Sequence, residues 1–238
     1  MSVMRRTAKL SVLIPVFAIA TSCGSSQTSF PAGLEPWETN AAMPPAPMPG
    51  NEFPETLTFV TRHWGDGSAV LSVHAKAFIQ MPIAAVAHAA RDPQTGFDPT
   101  ASDGFTVEAF DVDPTYTWSF RTHVTTHAFV VVDWWVQWRE GVVEGTVAAP
   151  TVYAVRWQKT DGNSGIEVME GSLVLRQVDG HPEATAVEYE YHLKAPFSSF
   201  TTITNYLTSI FGRLRDDAHG RTLSPIVCTD CVTAPANY

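Results

Sequence analysis

Between Ser68 and Leu193 the sequence is written mostly in a period of two. Ser68–Gln80 (SAVLSVHAKAFIQ) sets Leu71, Val73, Ala75, Ala77 and Ile79 on one side and Ser72, His74, Lys76 and Gln80 mostly on the other. That alternation predicts a half-buried strand. Met81-Pro82 ends it. Proline suits the first turn of a helix, so the alanine-rich Ile83–Arg91 reads as a helix stopped by Asp92-Pro93. After a loop over 96–104, strands return at Phe105–Val112, Tyr116–His127, Phe129–Arg139, Val152–Lys159, Ile166–Val178 and Thr185–Leu193. Phe129–Arg139 sets Val130, Val132, Trp134, Val136 and Trp138 against Asp133, Trp135, Gln137 and Arg139. In the last strand Thr185, Val187, Tyr189, Tyr191 and Leu193 oppose Glu188, Glu190 and His192. Lys159–Gly165 (KTDGNSG) and Val178–Pro182 (VDGHP) carry turn chemistry, and Gly171 within a strand predicts a bulge or bend.

The period changes after Ala195-Pro196. Ser198 or Ser199 can cap a helix running to about His219, with Gly220 as its stop. Ile203, Leu207, Ile210, Phe211 and Leu214 form its apolar stripe at spacings of three and four. Strands at hairpin spacing predict an antiparallel sheet, and the closing amphipathic helix must cover one face of it. The fold class is therefore α+β.

The first 50 residues follow neither period. Met1–Lys9 carries Arg5, Arg6 and Lys9, and Leu10–Ala20 is nearly all apolar. Eleven residues of helix span about 16 Å, too short for a hydrocarbon core of about 30 Å. Basic, apolar and then small residues make residues 1–22 a signal peptide. The cut site Ala20-Thr21-Ser22-Cys23 resembles a bacterial lipobox with Ala in place of the usual Leu. That resemblance implies lipidation of Cys23 and anchoring by several acyl chains, of which one alone binds only reversibly. An ordinary signal peptide, with Cys23 paired or removed, is the other reading. Gly24 rather than Asp after the cysteine leads to the expectation of an outer-membrane anchor facing the periplasm. Residues 23–50 are rich in Ser, Ala and Pro (Pro44, Pro45, Pro47, Pro49) and read as a disordered spacer. Asn51–Gly67 is an extra segment with no assigned form, and residues 221–238 form a tail.

Composition narrows the function. Of 238 residues 45% are hydrophobic, enough for a sizeable core, and 16% are charged. The formal net charge is −9, from 15 basic and 24 acidic residues. All three cations before Cys23 leave with the signal peptide, so the mature chain is more acidic still. Nucleic-acid binding runs on Lys and Arg, so no nucleic-acid partner is expected.

Candidate chemistry is sparse. His123 and His127 lie four residues apart, about 13 Å along a strand, too far to share a metal, and no metal site or cofactor is expected. His88 reads as a semi-buried helix histidine satisfied by Asp92 rather than as a base. Cys228-Thr229-Asp230-Cys231 is a C-x-x-C. Behind an export signal a local Cys228–Cys231 disulfide is the default, and no helix follows to make it a redox pair. There is no phosphate loop, nucleophile elbow or zinc-protease helix, and no residue is assigned a catalytic role. Trp134 and Trp138 either fill a sheet–helix core or line an apolar cavity, and Trp135 on the other face could pack on the N-terminal segment.

The order strand, Pro-started helix, strands, helix resembles the START-like, or polyketide-cyclase-like, helix-grip superfamily over 68–220. The residues carrying it are Ala75–Pro93, Gly171–Pro196 and the closing helix FSSFTTITNYLTSIFGRLRDDAHG. Asn51–Gly67 is extra to that fold. The resemblance implies a curved antiparallel sheet wrapped around a long C-terminal helix, enclosing an apolar cavity. It also implies a cavity wall of Trp134, Val136, Trp138, Tyr153, Trp157, Tyr189 and Tyr191 from the sheet with Ile203, Leu207 and Ile210 from the helix. A lipid or other hydrophobic small molecule is the expected partner. A cavity enzyme of the cyclase or hydrolase type, or a structural module with a filled core, are the alternatives. By alternation most ionisable side chains point outward, which speaks against the enzyme.

Overall fold

Alternation along the chain becomes one sheet because each predicted strand finds its neighbour by a hairpin. The computed structural model describes residues 28–65, 68–99, 103–127, 131–163 and 165–224. Residues 1–22, read as a signal peptide, lie outside the described residues, as do Cys23, Cys228 and Cys231. Its elements are β1 (Thr58–His63), β2 (Leu71–Ile79), α1 (Ile83–Ala90), β3 (Gly104–Phe110), β4 (Trp118–His127), β5 (Val131–Gly145), β6 (Pro150–Gly162), β7 (Val168–Val178), β8 (His181–Lys194) and α2 (Phe200–Ala218). The eight strands form one antiparallel sheet in the order β1-β2-β8-β7-β6-β5-β4-β3. Only β2–β8 joins strands distant in sequence, with Leu71 opposite Leu193 and Ile79 opposite Thr185. Register shifts in β5 at Trp135/Val136 and Val142/Glu144 bend the sheet. The apolar side packs on α1 and α2, which also pack on each other. This curved sheet around a C-terminal helix is the helix-grip architecture.

Helix α2 is bounded as its sequence requires. The Ser199 hydroxyl accepts from the Thr202 amide at 3.1 Å. Gly220 turns the chain with φ +70°, and the Arg221 amide closes back on the Asp216 carbonyl at 2.8 Å. Ile203, Leu207, Ile210 and Leu214 are buried in the concavity.

Several expectations are revised. Residues 28–50 do not hang free: they lie as an extended strap across the outer sheet face. Leu34 and Ala42 are 2% and 3% exposed, the Trp37 indole donates to the Gly171 carbonyl at 3.2 Å, and the Asn40 amide donates to the Tyr189 carbonyl at 2.8 Å. The Arg156 guanidinium sits 3.6 Å above the centre of the Trp37 ring. The strap has no core of its own and borrows the sheet's. Within Asn51–Gly67, residues 58–63 form edge strand β1. Gly171 is neither bulge nor bend, because its register to Trp157 and Tyr191 is regular. It is glycine for room: a Cβ there would lie 2.2 Å from the Trp157 ring. Strands β5 and β6 run further than the alternation suggests, to Gly145 and Gly162, because their extra residues pair with each other's strand, 141–145 with 150–154 and 159–162 with 134–136. Trp135 stacks on His123 at 4.1 Å and donates to Glu108 at 2.8 Å, away from the strap.

Candidate functional site

The inner sheet face is lined with rings. Phe110, Phe120, Trp138, Trp157, Tyr191 and Tyr206 follow one another with centroid spacings of 6.2, 5.4, 5.2, 6.1 and 5.2 Å. Cross-strand pairs place them side by side, Phe120 opposite Trp138 and Trp138 opposite Trp157. At one end this aromatic row is packed solid. Voids of only about 20 and 40 Å³ remain beside Trp138.

At the other end the packing opens. A chamber of about 450 Å³ lies where the starts of β5 and β7 and the end of β8 meet the first turns of α2. Trp134, Ile166, Met169, Tyr191 and Leu193 form its sheet wall. Thr201, Thr202, Ile203, Asn205 and Tyr206 form its helix wall, and Ala195–Ser198 its rim. The chamber exists because Ala195-Pro196 breaks β8 and turns the chain away before α2 begins. Phe197 stands at that rim, 94% exposed and in the left-handed region at φ +62°. Asp98 closes the chamber from the loop after α1. The Tyr206 hydroxyl donates to the Gly96 carbonyl at 2.8 Å and ties that loop to α2. Burial pushes the Tyr191 and Tyr206 hydroxyls well above the ordinary phenol range. At neutral pH the chamber therefore presents uncharged hydroxyls and hydrocarbon, with Asp98 as its only acidic side chain among the described residues. An apolar concavity with few polar groups is the general form of a small-molecule site.

The ten residues read as a cavity wall all face inward and are buried, but they divide. Trp134, Tyr191 and Ile203 line the chamber. Val136 and Trp138 border the 40 Å³ void. Trp157, Tyr189 and Ile210 border the 20 Å³ one. Tyr153 and Leu207, both 0% exposed, are core. Sequence reasoning missed Met169, Tyr206 and the 195–198 rim. Met169 was within reach, since it stands opposite Leu193 on the apolar side of the sheet. Tyr206 lies three residues beyond Ile203, on the same helical stripe.

Besides Asp98 at the chamber, a second carboxyl points inward from the sheet itself. Glu140 lies two residues beyond Trp138 on the same face and is 0% exposed. Its Oε2 accepts from the Tyr153 hydroxyl at 3.0 Å, and the Tyr153 oxygen in turn accepts from Arg91 Nε at 3.3 Å. Its Oε1 is buried with no hydrogen-bond partner. Burial raises the Glu140 carboxyl from 4.5 to about 8, despite the hydrogen bond from Tyr153 and the charge of Arg91. Of the histidines weighed from sequence, His123 lies outward beneath Trp135, 3.7 Å from Asp133. His88 is exposed rather than semi-buried.

No protein-family model matches the sequence, and no curated protein does. Several solved structures are similar in chain path at low identity. TTHA0849 from Thermus thermophilus is 16% identical with a TM-score of 0.44, covering 63% of this chain and 97% of that one. The lipid transfer and protein localization domain of human StarD13 is 8% identical with a TM-score of 0.48, covering 68% and 84%. The Zhui aromatase/cyclase from Streptomyces sp. R1128 is 9% identical with a TM-score of 0.45, covering 63% and 94%.

Proposed function

We propose that this chain is a membrane-anchored extracytoplasmic lipoprotein that binds a lipid or another hydrophobic small molecule in the chamber between β7, β8 and α2. The observation that carries the reading is the chamber itself. Its volume of about 450 Å³ falls within the range of about 300–1,000 Å³ usual for ligand sites. Each 100 Å² of apolar ligand surface taken from water is worth about 2.5 kcal/mol before the cost of association. No charge is required for such binding, which agrees with a wall of hydrocarbon and un-ionised hydroxyls. The anchor rests on the lipobox-like Ala20–Cys23, and an outer-membrane position facing the periplasm on Gly24.

A cavity enzyme is the second reading, and the inward carboxyl of Glu140 is what favours it. Glu140 is not among the residues lining the chamber, so the carrier reading stands first.

The test is native mass spectrometry of the exported protein, with solvent extraction of whatever accompanies it. A co-purified hydrophobic mass released on denaturation is expected. Thr201→Trp, at an exposed helix position on the chamber wall, should cut uptake of a fluorescent fatty acid at least tenfold without moving the melting temperature. An empty protein that also takes up nothing from a lipid extract overturns the proposal. Labelling with a palmitate analogue should reach the wild type and not Cys23→Ala; equal labelling refutes the anchor.

A further inference from the structure

Beneath the strap, the outer face of the sheet holds ionisable side chains that the chamber does not use. Glu38 descends from the strap onto β2 and β8. Its Oε1 lies 2.7 Å from Ser72 Oγ, 2.5 Å from His74 Nε2 and 3.1 Å from His192 Nε2, and its Oε2 lies 2.5 Å from Arg62 Nη2. The other ring nitrogens fix the protonation states. His74 Nδ1 accepts from the Ala41 amide at 2.7 Å. An amide only donates, so Nδ1 is bare, the single ring proton is on Nε2, and His74 is neutral. His192 is the opposite case. Its Nε2 faces Glu38 and its Nδ1 faces Glu170 Oε1 at 3.1 Å, so two carboxylates call for two ring protons and a cation. Both histidines are fully buried, at 0% exposure.

We propose that the strap is a pH-gated clasp, closed over the outer sheet face while His74 is neutral and His192 is charged, and lifting when either ring changes state. The groups facing His74 are Glu38 from the strap, Arg62 from β1, and His192 and Glu190 from β8. Glu170 of β7 stands beyond His192, Lys76 and Glu188 pair on the same face, and Trp64 stacks on the His192 ring at 4.4 Å. In acid, a proton on His74 Nδ1 would point at the Ala41 N–H, ending that hydrogen bond and adding a cation beside His192 and Arg62. In base, His192 loses a proton and one of its two carboxylate bonds.

The signs of the shifts agree with two limbs. Burial lowers His74 below 6.5 against the pull of Glu38, so its contribution is lost as pH falls below 6.5. Burial alone would lower His192, but the hydrogen bonds it donates to Glu170 and Glu38 raise it above 6.5, so its contribution is lost as pH rises through that raised value. The two histidines by themselves make the clasp tightest near pH 6.5. Glu190 accepts from the Glu38 amide at 3.1 Å and is pushed up to about 7 by burial. It works against the acid limb between pH 4.5 and 7 without removing that limb's dependence on His74. One site changes the opening equilibrium by at most about tenfold per pH unit on each side.

Hydrogen exchange of the full chain, read by mass spectrometry at pH 5, 6.5 and 8 and corrected for intrinsic rates, tests this. Protection of a peptide covering residues 37–42, read relative to a peptide covering 207–214 of α2 that carries the global pH dependence of Glu140, should peak near pH 6.5 and fall on both sides. In His74→Gln the side-chain oxygen can still accept from Ala41 but cannot titrate, so the acid limb should flatten. His192→Gln should flatten the alkaline limb. Glu38→Gln, on the strap rather than in the sheet, should raise strap exchange at pH 6.5 at least tenfold with α2 unaffected. The proposal is overturned if strap protection follows α2 at every pH, or if His74→Gln keeps the wild-type acid limb.

Discussion

Replacing Glu140 by Gln tests the reading of the inner face directly. Glu140 is wholly buried between Trp118 and Val155 of the neighbouring strands, with Tyr153 donating to one oxygen and nothing donating to the other. Its carboxyl moves from 4.5 to about 8 on folding. A raised folded value means stability that is complete below pH 4.5 and lost as pH climbs to about 8, with no further loss above it. At about 1.4 kcal/mol for each pH unit, that interval amounts to about 5 kcal/mol. Glutamine keeps an oxygen for the Tyr153 hydroxyl, has the shape of the protonated acid and does not titrate. Its amide N–H groups replace the unpartnered oxygen at a cost of about 1–3 kcal/mol, independent of pH. Urea titrations of both proteins from pH 5 to pH 9 are the assay, because every other group cancels in the difference. The variant should be equal or weaker at pH 5 and stronger at pH 9, the difference changing by about 4 kcal/mol, since the titration is complete by about pH 8. Parallel profiles, constant to within about 1 kcal/mol, would refute the claim that Glu140 is buried and uncharged at neutral pH.

Other substitutions probe single contacts. Gly171→Ala drives a methyl group to 2.2 Å from the Trp157 ring and 2.6 Å from the Glu190 carbonyl, so it should cost about 1–3 kcal/mol in chemical denaturation. Ser199→Ala removes the cap accepting from Thr202 and should lower stability by about 1 kcal/mol in a thermal melt. Phe197→Gly relieves a left-handed residue whose side chain is almost fully exposed and should raise stability by about 1 kcal/mol by the same measure.

The sequence by itself determined the sheet, because alternation holds wherever one face is buried and the other is not: β2 and β8 are legible to within a few residues. It also determined α2, whose Ser199 cap and Gly220 stop are local chemistry. The inward side of Glu140 was legible too, two places beyond Trp138, though a rule about most acids pointing outward hid it. Tertiary structure decided the rest. The strap has no period, because an extended, proline-rich segment gives the sheet one side chain at a time, and Leu34, Trp37 and Glu38 acquire meaning only against Gly141, Arg156 and His74. A buried Glu190 or His192 on a nominally polar face reflects that cover, which no local pattern encodes. Likewise an inward apolar row is the same string of letters whether it is filled or hollow. Where α2 leaves the sheet after Pro196 decides that Trp138 and Trp157 pack solid while Trp134 and Tyr191 face an open chamber, since packing depends on distances between elements far apart in the chain.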